Sequence, residues 1–239
     1  MTQDGPEFVD PGEVDEVPWA MQLVVLHEKV APAGHFDTCE AAARAVVGLL
    51  EAAAGERADD WGPVVRRWRD GRIRKLVRRA RGLRWIEAQD LPGVTVHQGL
   101  AAVRALVPGP VRPLPPTLAK MQVSGTELPA DEPSNTEAEV LIGINPQIEM
   151  TTGKAAAQCA HAAQLAWEGM NRIEREIWAR QEHRVRVEVV TPKQWERFST
   201  VQVVDAGFTE LDGPTPTTKA WWRFAELADA RWPGEQWSD

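Results

Sequence analysis

The chain has 239 residues, of which 43% are hydrophobic and 26% charged, and its formal net charge is -8. That size allows one large or two small globular domains with an ordinary core, and no apolar run approaches the roughly 18 residues of a membrane span. The acidic first residues lack the apolar segment of a signal peptide, and Cys39 and Cys159 are too few for a disulfide framework or a zinc site, so we expect a cytoplasmic protein.

The first half begins after an acidic tail at 1–17 and is expected to form a domain over 18–128. Branched apolar residues predict a strand at 21–29. An Ala-rich helix should follow, capped by Asp37 or Thr38 and ended by Gly55. The remaining predicted elements are a strand at 71–80, a short helix and a Val-x-Val strand within 84–96, and a last strand at 102–109.

The segment 129–137 is polar, contains proline and lacks periodicity, which predicts a linker. A second domain is expected over 138–226, followed by a tail at 227–239. Its predicted elements are a strand at 138–145, a helix over 151–181 broken at Gly169, a strand at 183–191, a short helix from Pro192, and strands at 200–207 and 217–224.

Five elements match in order between the halves, and a tryptophan precedes the second strand of each, at Trp68 and Trp178. Such self-similarity indicates a duplication. We therefore predict an α/β fold of two tandem β-α-β-α-β-β units, each a mixed four-stranded sheet with flanking helices. The alternative is that any two α/β units of this size look alike.

Ten basic residues and one acid lie between Arg66 and Arg84, a local charge of +9 that leaves -17 (-8 minus +9) for the rest of the chain. Such a basic stripe is a candidate contact for a nucleic-acid backbone. It is equally compatible with a solvated face or with a clamp for the protein's own acidic tail. The candidate RNA-binding residues are Arg72, Arg74, Lys75, Arg78 and Arg79.

The stretch MTTGKAAAQCAHAA at 150–163 predicts a helix with two unlike faces. At about 100° per residue, Lys154, Gln158 and His161 share one polar stripe, beside a face of alanines and Cys159 that suits close packing. A lysine at a helix start is disfavoured by the helix dipole. We therefore expect a phosphate or carboxylate group to bind there, next to unpaired backbone N–H groups.

A second polar cluster follows the strand at 200–207, in VVDAGFTELDGPTPTT. Asp205 ends the strand, and Thr209, Thr215 and Thr217 follow. In α/β sheets ligands collect at strand ends, and an aspartate with hydroxyl neighbours there can orient or deprotonate a water molecule. An Asx-turn that merely closes the strand is the structural alternative.

Together these two motifs resemble the type II peptidyl-tRNA hydrolases, whose pattern is Met-x-x-Gly-Lys-x-Ala-x-Gln-x-x-His-Ala and, later, Asp-Ala-Gly-x-Thr before a Gly/Pro/Thr turn. The resemblance covers 138 to about 222. It implies hydrolysis of the ester between a peptide and the 3′ end of tRNA, without metal or other cofactor. By motif, the implied catalytic residues are Lys154, Gln158, His161, Asp205, Thr209 and a turn threonine, for which Thr215 is preferred to Thr217.

The chain departs from that pattern at two places in the second half. Asn145, Pro146 and Gln147 stand where Arg-x-Asp is usual, and Phe208 replaces the arginine of the second motif. The first half lacks both motifs, so we expect a degenerate copy that serves as an intrachain partner in a pseudo-dimer and presents the basic stripe to tRNA. Further self-association stays open.

Two alternatives remain for function. One is a non-catalytic RNA-binding or scaffold protein that retains the hydrolase fold. The other, less favoured, is a small-molecule enzyme that reuses the pocket. Membrane partners are not expected.

Overall fold

A computed structural model of the chain describes residues 17–71, 73–133, 137–197, 199–206, 210–211, 213–224 and 227. The α/β architecture predicted from the sequence is confirmed, with one mixed sheet in each half. The elements of the first half are β1 (Trp19–Leu26), α1 (His35–Ala54), α2 (Gly62–Asp70), β2 (Lys75–Ala80), α3 (Leu83–Gln89), β3 (Gly93–Gln98), β4 (Ala101–Leu106), β5 (Gly109–Pro110) and α4 (Pro116–Ala119).

The second half repeats this order without counterparts of β5 and α4. Its elements are β6 (Val140–Ile144), α5 (Thr152–Gly169), α6 (Arg172–Arg180), β7 (Arg186–Val189), α7 (Pro192–Arg197), β8 (Val201–Asp205) and β9 (Thr215–Trp222). The break that Gly169 predicts separates α5 from α6. None of the described helices is long and apolar enough to cross a membrane.

The two sheets have the same topology. Their strand orders are β2-β1-β4-β3 and β7-β6-β9-β8. The short strand β5 pairs antiparallel with the first two residues of β1. In the first sheet β1 and β2 are parallel, and β4 pairs antiparallel with both β1 and β3. In the second sheet β6 and β7 are parallel, and β9 pairs antiparallel with both β6 and β8. The central strands β1 and β6 are almost wholly buried, which agrees with their continuous apolar sequences.

A local detail also repeats. Trp68 and Trp178 are almost fully buried. The indole N–H of Trp68 donates to the carbonyl of Arg74, and that of Trp178 to the carbonyl of Arg184, six residues later in both cases. Each tryptophan therefore fixes the chain where it leaves a helix and enters the second strand of its sheet.

The halves pack through α1 and α5, whose contact is the most extensive between any two elements. Their alanine-rich faces allow close approach of the helix axes. Cys39 on α1 and Cys159 on α5 are both fully buried. The neighbouring thiol of Cys159, followed by burial, raises the pKa of the Cys39 thiol well above its ordinary value. One hydrophobic core includes residues of both sheets and both helices.

Two hydrogen bonds also connect the first half to the second. The indole N–H of Trp167 donates to Glu51 Oε2 at 2.8 Å. The buried Glu40 on α1 accepts a hydrogen bond from the backbone N–H of Val187 in β7 at 3.1 Å. Buried polar groups without partners are costly, so these hydrogen bonds fix the relative position of the two sheets.

The start of α1 differs from the prediction that Asp37 or Thr38 caps it. The helix begins at His35, and Gly34 occupies the capping position without a side-chain hydrogen bond. The carboxylate of Asp131 instead accepts from the backbone N–H groups of Phe36 and Asp37, at 2.6 and 3.1 Å. Its oxygen lies 1.8 Å from where a Cβ at Gly34 would stand, so only glycine fits. The cap comes from the predicted linker, 94 residues away from Asp37.

Candidate functional site

The two motifs of the second half meet at the start of α5. Lys154 lies in the first turn of that helix, and Asp205 is the last residue of β8. The Lys154 ammonium and Asp205 Oδ1 are 2.5 Å apart, and their side chains are 10% and 12% exposed. Residues 51 positions apart in sequence thus form an ion pair that is largely shielded from water.

Gln158 and Thr217 extend this ion pair into the sheet. Gln158 Nε2 donates to the same Asp205 oxygen at 3.0 Å. Its Oε1 accepts from the hydroxyl of Thr217 on β9 at 2.9 Å. Thr217 is fully buried and Gln158 is 8% exposed. Because Gln158 is engaged at both ends of its amide, the carboxylate of Asp205 is held in one orientation.

The phosphate or carboxylate group that the sequence predicts at this helix start is a carboxylate of the chain itself. Thr151 caps α5 by accepting from the Lys154 N–H at 3.2 Å, and the Gly153 N–H donates to the carbonyl of Thr126 at 3.0 Å. Glu210 accepts from both the N–H and the hydroxyl of Thr151, at 3.1 and 2.7 Å. The anions near this helix end are therefore carboxylates of the chain itself, which offset the unfavourable position of Lys154.

His161 faces the first half rather than the ion pair. Burial, and then the nearby charge of Lys75, lower the pKa of His161 to about 3, so its imidazole is neutral at ordinary pH. Lys75 lies on β2, and its ammonium group donates to Gln164 one turn further along α5. Two members of the predicted polar stripe, Lys154 and Gln158, thus contact Asp205, whereas His161 does not share that contact.

The threonines of the second motif occupy different positions. Thr215 pairs with Asp205 across β8 and β9, but its hydroxyl donates to the carbonyl of Gly213 at 3.1 Å. Thr217, which sequence reasoning considered second, is the one that bonds to Gln158. Thr209 and Phe208 lie outside the described residues.

Asn145, which stands where the peptidyl-tRNA hydrolase pattern has an arginine, joins two strands of the second sheet. It is 5% exposed. Its side-chain N–H donates to the carbonyl of Pro216 at 2.8 Å, and its Oδ1 accepts from the Gln147 N–H at 2.9 Å. It therefore ties the end of β6 to the start of β9, next to Thr217. From the sequence, Asn145 is recognised only as a departure from the pattern, and no role is predicted for Glu210, which lies within the second cluster.

The basic stripe does not form one exposed face, which corrects the prediction for two of its members. Arg78 is 5% exposed, and it donates to Gln22 Oε1 and to the carbonyls of Leu118 and Met121. The ammonium group of Lys75 is buried against α5, although the residue as a whole is partly exposed. Neither group can reach an RNA backbone, because successive residues of a strand point to opposite faces and both faces of β2 are covered here.

The other members of the stripe are placed differently. Arg79 is partly exposed at the carboxyl end of β2 and Arg74 is partly exposed just before it, whereas Arg72 lies outside the described residues. Fully exposed arginines occur on α2 and around the start of α3.

The equivalent position in the first half has different chemistry. Gln98 ends β3, as Asp205 ends β8, and it accepts from Arg44 of α1 at 2.7 Å. Arg44 in turn contacts the carboxylate of Glu182 in the second half at 3.5 Å. The position is thus occupied by contacts within and between the halves.

Across the described residues, no group of three or more His, Cys, Asp or Glu side chains is placed to hold a metal ion. Comparison of the chain with protein-family models, curated proteins and solved structures gave no match.

Proposed function

We propose that the protein hydrolyses the ester bond between a peptide, or an N-blocked aminoacyl group, and the 3′ end of tRNA. The observation that carries this proposal is the ion pair of Lys154 and Asp205, held by Gln158 and Thr217. These residues come from two separate stretches that resemble the type II peptidyl-tRNA hydrolases. A nearly buried pair costs more to desolvate than a surface pair, and a purely structural contact at this edge would not need two charges.

In the proposed reaction, the carboxylate of Asp205 positions a water molecule and accepts its proton as the water oxygen attacks the ester carbonyl. The ammonium of Lys154 stabilises the negative charge that develops on the carbonyl oxygen. The ester bond then breaks, and the 3′ oxygen of the ribose leaves with the proton from Asp205. Gln158 and Thr217 act by positioning Asp205. Peptidyl-tRNA is a cytoplasmic substrate, so the proposal places the protein there.

The first half takes the part of a partner subunit in this proposal. Its helix α1 packs against α5, and Lys75 donates a hydrogen bond to Gln164 of α5. The chain would then act as an intrachain pseudo-dimer, and the proposed reaction requires no further self-association.

The test is the release of N-acetylated amino acid from a charged tRNA. We expect turnover by the wild type, and a loss of about 100-fold or more in kcat for Lys154→Ala and for Asp205→Ala. Lys193→Ala, which removes an exposed lysine of α7, is the matched control and should keep wild-type rates. Rates in the Lys154→Ala and Asp205→Ala variants that equal the control would refute these roles.

The second candidate is a non-catalytic RNA-binding or scaffold protein with the hydrolase fold. Asn145 favours it, since its amide is used to join β6 to β9 where the family has charged residues. Binding of tRNA by the wild type without any turnover would establish this candidate in place of the hydrolase.

A further inference from the structure

A cleft of about 580 Å³ opens where β1 and β2 end, between the start of α3 and the chain that follows α4. Six of its lining residues are basic or imidazole side chains: His27, Lys29, Arg79, Arg81, Arg84 and Lys120. None of the described residues that line it is acidic. The carboxyl ends of parallel strands are where α/β sheets commonly bind ligands.

The wall of this basic cleft is held by hydrogen bonds to the backbone. Arg79 Nη1 donates to the carbonyl of Gly125 at 2.8 Å, and Arg84 Nη1 donates to the carbonyl of Lys120 at 2.9 Å. Beneath the cleft, the buried Arg78 binds the carbonyls of Leu118 and Met121. The segment that carries Lys120 is therefore anchored, and the guanidinium groups of Arg79 and Arg84 are oriented before any ligand arrives.

The charge of the cleft contrasts with that of the whole chain. Cations gathered in a concave surface repel one another and focus a positive potential. The protein as a whole has a net charge of -8, which disfavours its association with polyanions. Several cations spread over a cleft match successive phosphates of a backbone, with which guanidinium groups form paired hydrogen bonds.

A series of contacts connects the cleft to the start of α5, where the ion pair of the second half lies. Gly125, which binds Arg79, is followed by Thr126, whose carbonyl accepts from Gly153 at the start of α5. Lys154 is the next residue of that helix. A Cβ at Gly153 would also lie 3.7 Å from Val77 of β2. One strand of nucleic acid can therefore contact the cleft and extend toward Lys154.

We infer that this basic cleft binds the phosphate backbone of RNA and guides its end toward Lys154 and Asp205. The choice of RNA among polyanions rests on the proposed function.

The experiment measures binding of fluorescently labelled, deacylated tRNA by anisotropy over a range of salt concentrations. The test variant is Arg81→Ala with Lys120→Ala, which removes two exposed cations of the cleft. The matched control is Arg66→Ala with Arg69→Ala, which removes two exposed cations of α2. We expect the cleft variant to lose about tenfold in affinity at low salt. The slope of log K against log salt should fall in magnitude by roughly 1.5, as for two lost phosphate contacts.

The control should bind within about twofold of the wild type. An equal loss in both variants, wild-type binding by the cleft variant, or no binding of tRNA by the wild type would overturn the inference. Thermal unfolding of each variant checks that the fold is kept. Because the probe carries no aminoacyl ester, the result is separate from the hydrolysis assay. If tRNA binding depends on the cleft but no hydrolysis occurs, only the proposed reaction is refuted. If hydrolysis occurs but tRNA binding does not depend on the cleft, only the role of the cleft is refuted.

Discussion

Lys75 carries a buried ammonium group, and the stability of the protein should therefore depend on pH above neutrality. Burial lowers the pKa of Lys75 from 10.5 to about 7, although the charge of Glu168 acts in the opposite direction. Between these two pH values the unfolded chain binds a proton that the folded protein does not. The free energy of unfolding then rises with pH. The penalty for the charged form is complete below about pH 7 and disappears above about pH 10.5.

The size of the effect follows from the difference of 3.5 between those pKa values. At about 1.4 kcal/mol for each unit, the whole range corresponds to at most about 5 kcal/mol. Linkage gives a rise of about 2 kcal/mol between pH 7.5 and 9. Above pH 9 the thiol of Cys39 acts in the opposite sense, because its raised pKa makes the folded protein hold a proton that the unfolded chain releases. The window up to pH 9 is therefore the informative one.

Urea unfolding of the wild type and of Lys75→Met, followed by tryptophan fluorescence, measures this difference. The methionine variant should lack the rise of about 2 kcal/mol, since it has no group to titrate. Lys29→Met, at an exposed lysine of the same half, should retain it. The same pH dependence in wild type and Lys75→Met would refute the reasoning that the ammonium group is desolvated.

Two further predictions concern buried charges. In a double-mutant cycle of Lys154→Met and Asp205→Asn, urea unfolding should give a coupling free energy of about 1–3 kcal/mol, as for partners in direct contact. A coupling free energy below about 0.5 kcal/mol would show that the ion pair does not form. Arg78→Met should lower the free energy of unfolding by about 1–3 kcal/mol, because two backbone carbonyls and Gln22 lose their donor. The control Arg81→Met, at an exposed arginine, should change the free energy of unfolding by less than about 0.5 kcal/mol. Equal effects of the two substitutions would contradict the burial of Arg78.

Local patterns predicted most of the elements in their observed order, but α2, β5 and α4 were not predicted. Alternating and branched apolar residues gave the strands, Gly55 and Gly169 gave helix ends, and Pro192 gave the start of α7. The cap of α1 could not be found in this way, because Asp131, which supplies it, lies 95 residues after Phe36 in the chain. A contact between distant residues leaves no local pattern.

Part of the candidate site could be predicted from the sequence, because a lysine at a helix start requires a neighbouring negative charge. The reasoning that Lys154 at a helix start needs an anion holds, but that anion is the carboxylate of Asp205 rather than a ligand. The spacing of Thr215 and Thr217 could not decide between them, since a register shift between Val203 and Val204 determines which hydroxyl reaches Gln158. The burial of Arg78 had a signal in the sequence, because a predicted strand cannot present adjacent residues on one face.

The pairing of α1 with α5 has a consequence for how the protein is made. About 100 residues separate the end of α1 from the start of α5. At roughly 5–20 residues per second, the ribosome needs about 5–20 s to deliver the second helix after the first. During that interval the alanine-rich face of α1 has no α5 to pack against, while β2, β3, β4 and β5 of the first sheet are synthesised. A nascent chain is thus most exposed to chaperones, or to the α1 helix of a neighbouring chain on the same messenger RNA, in the seconds before its own α5 emerges.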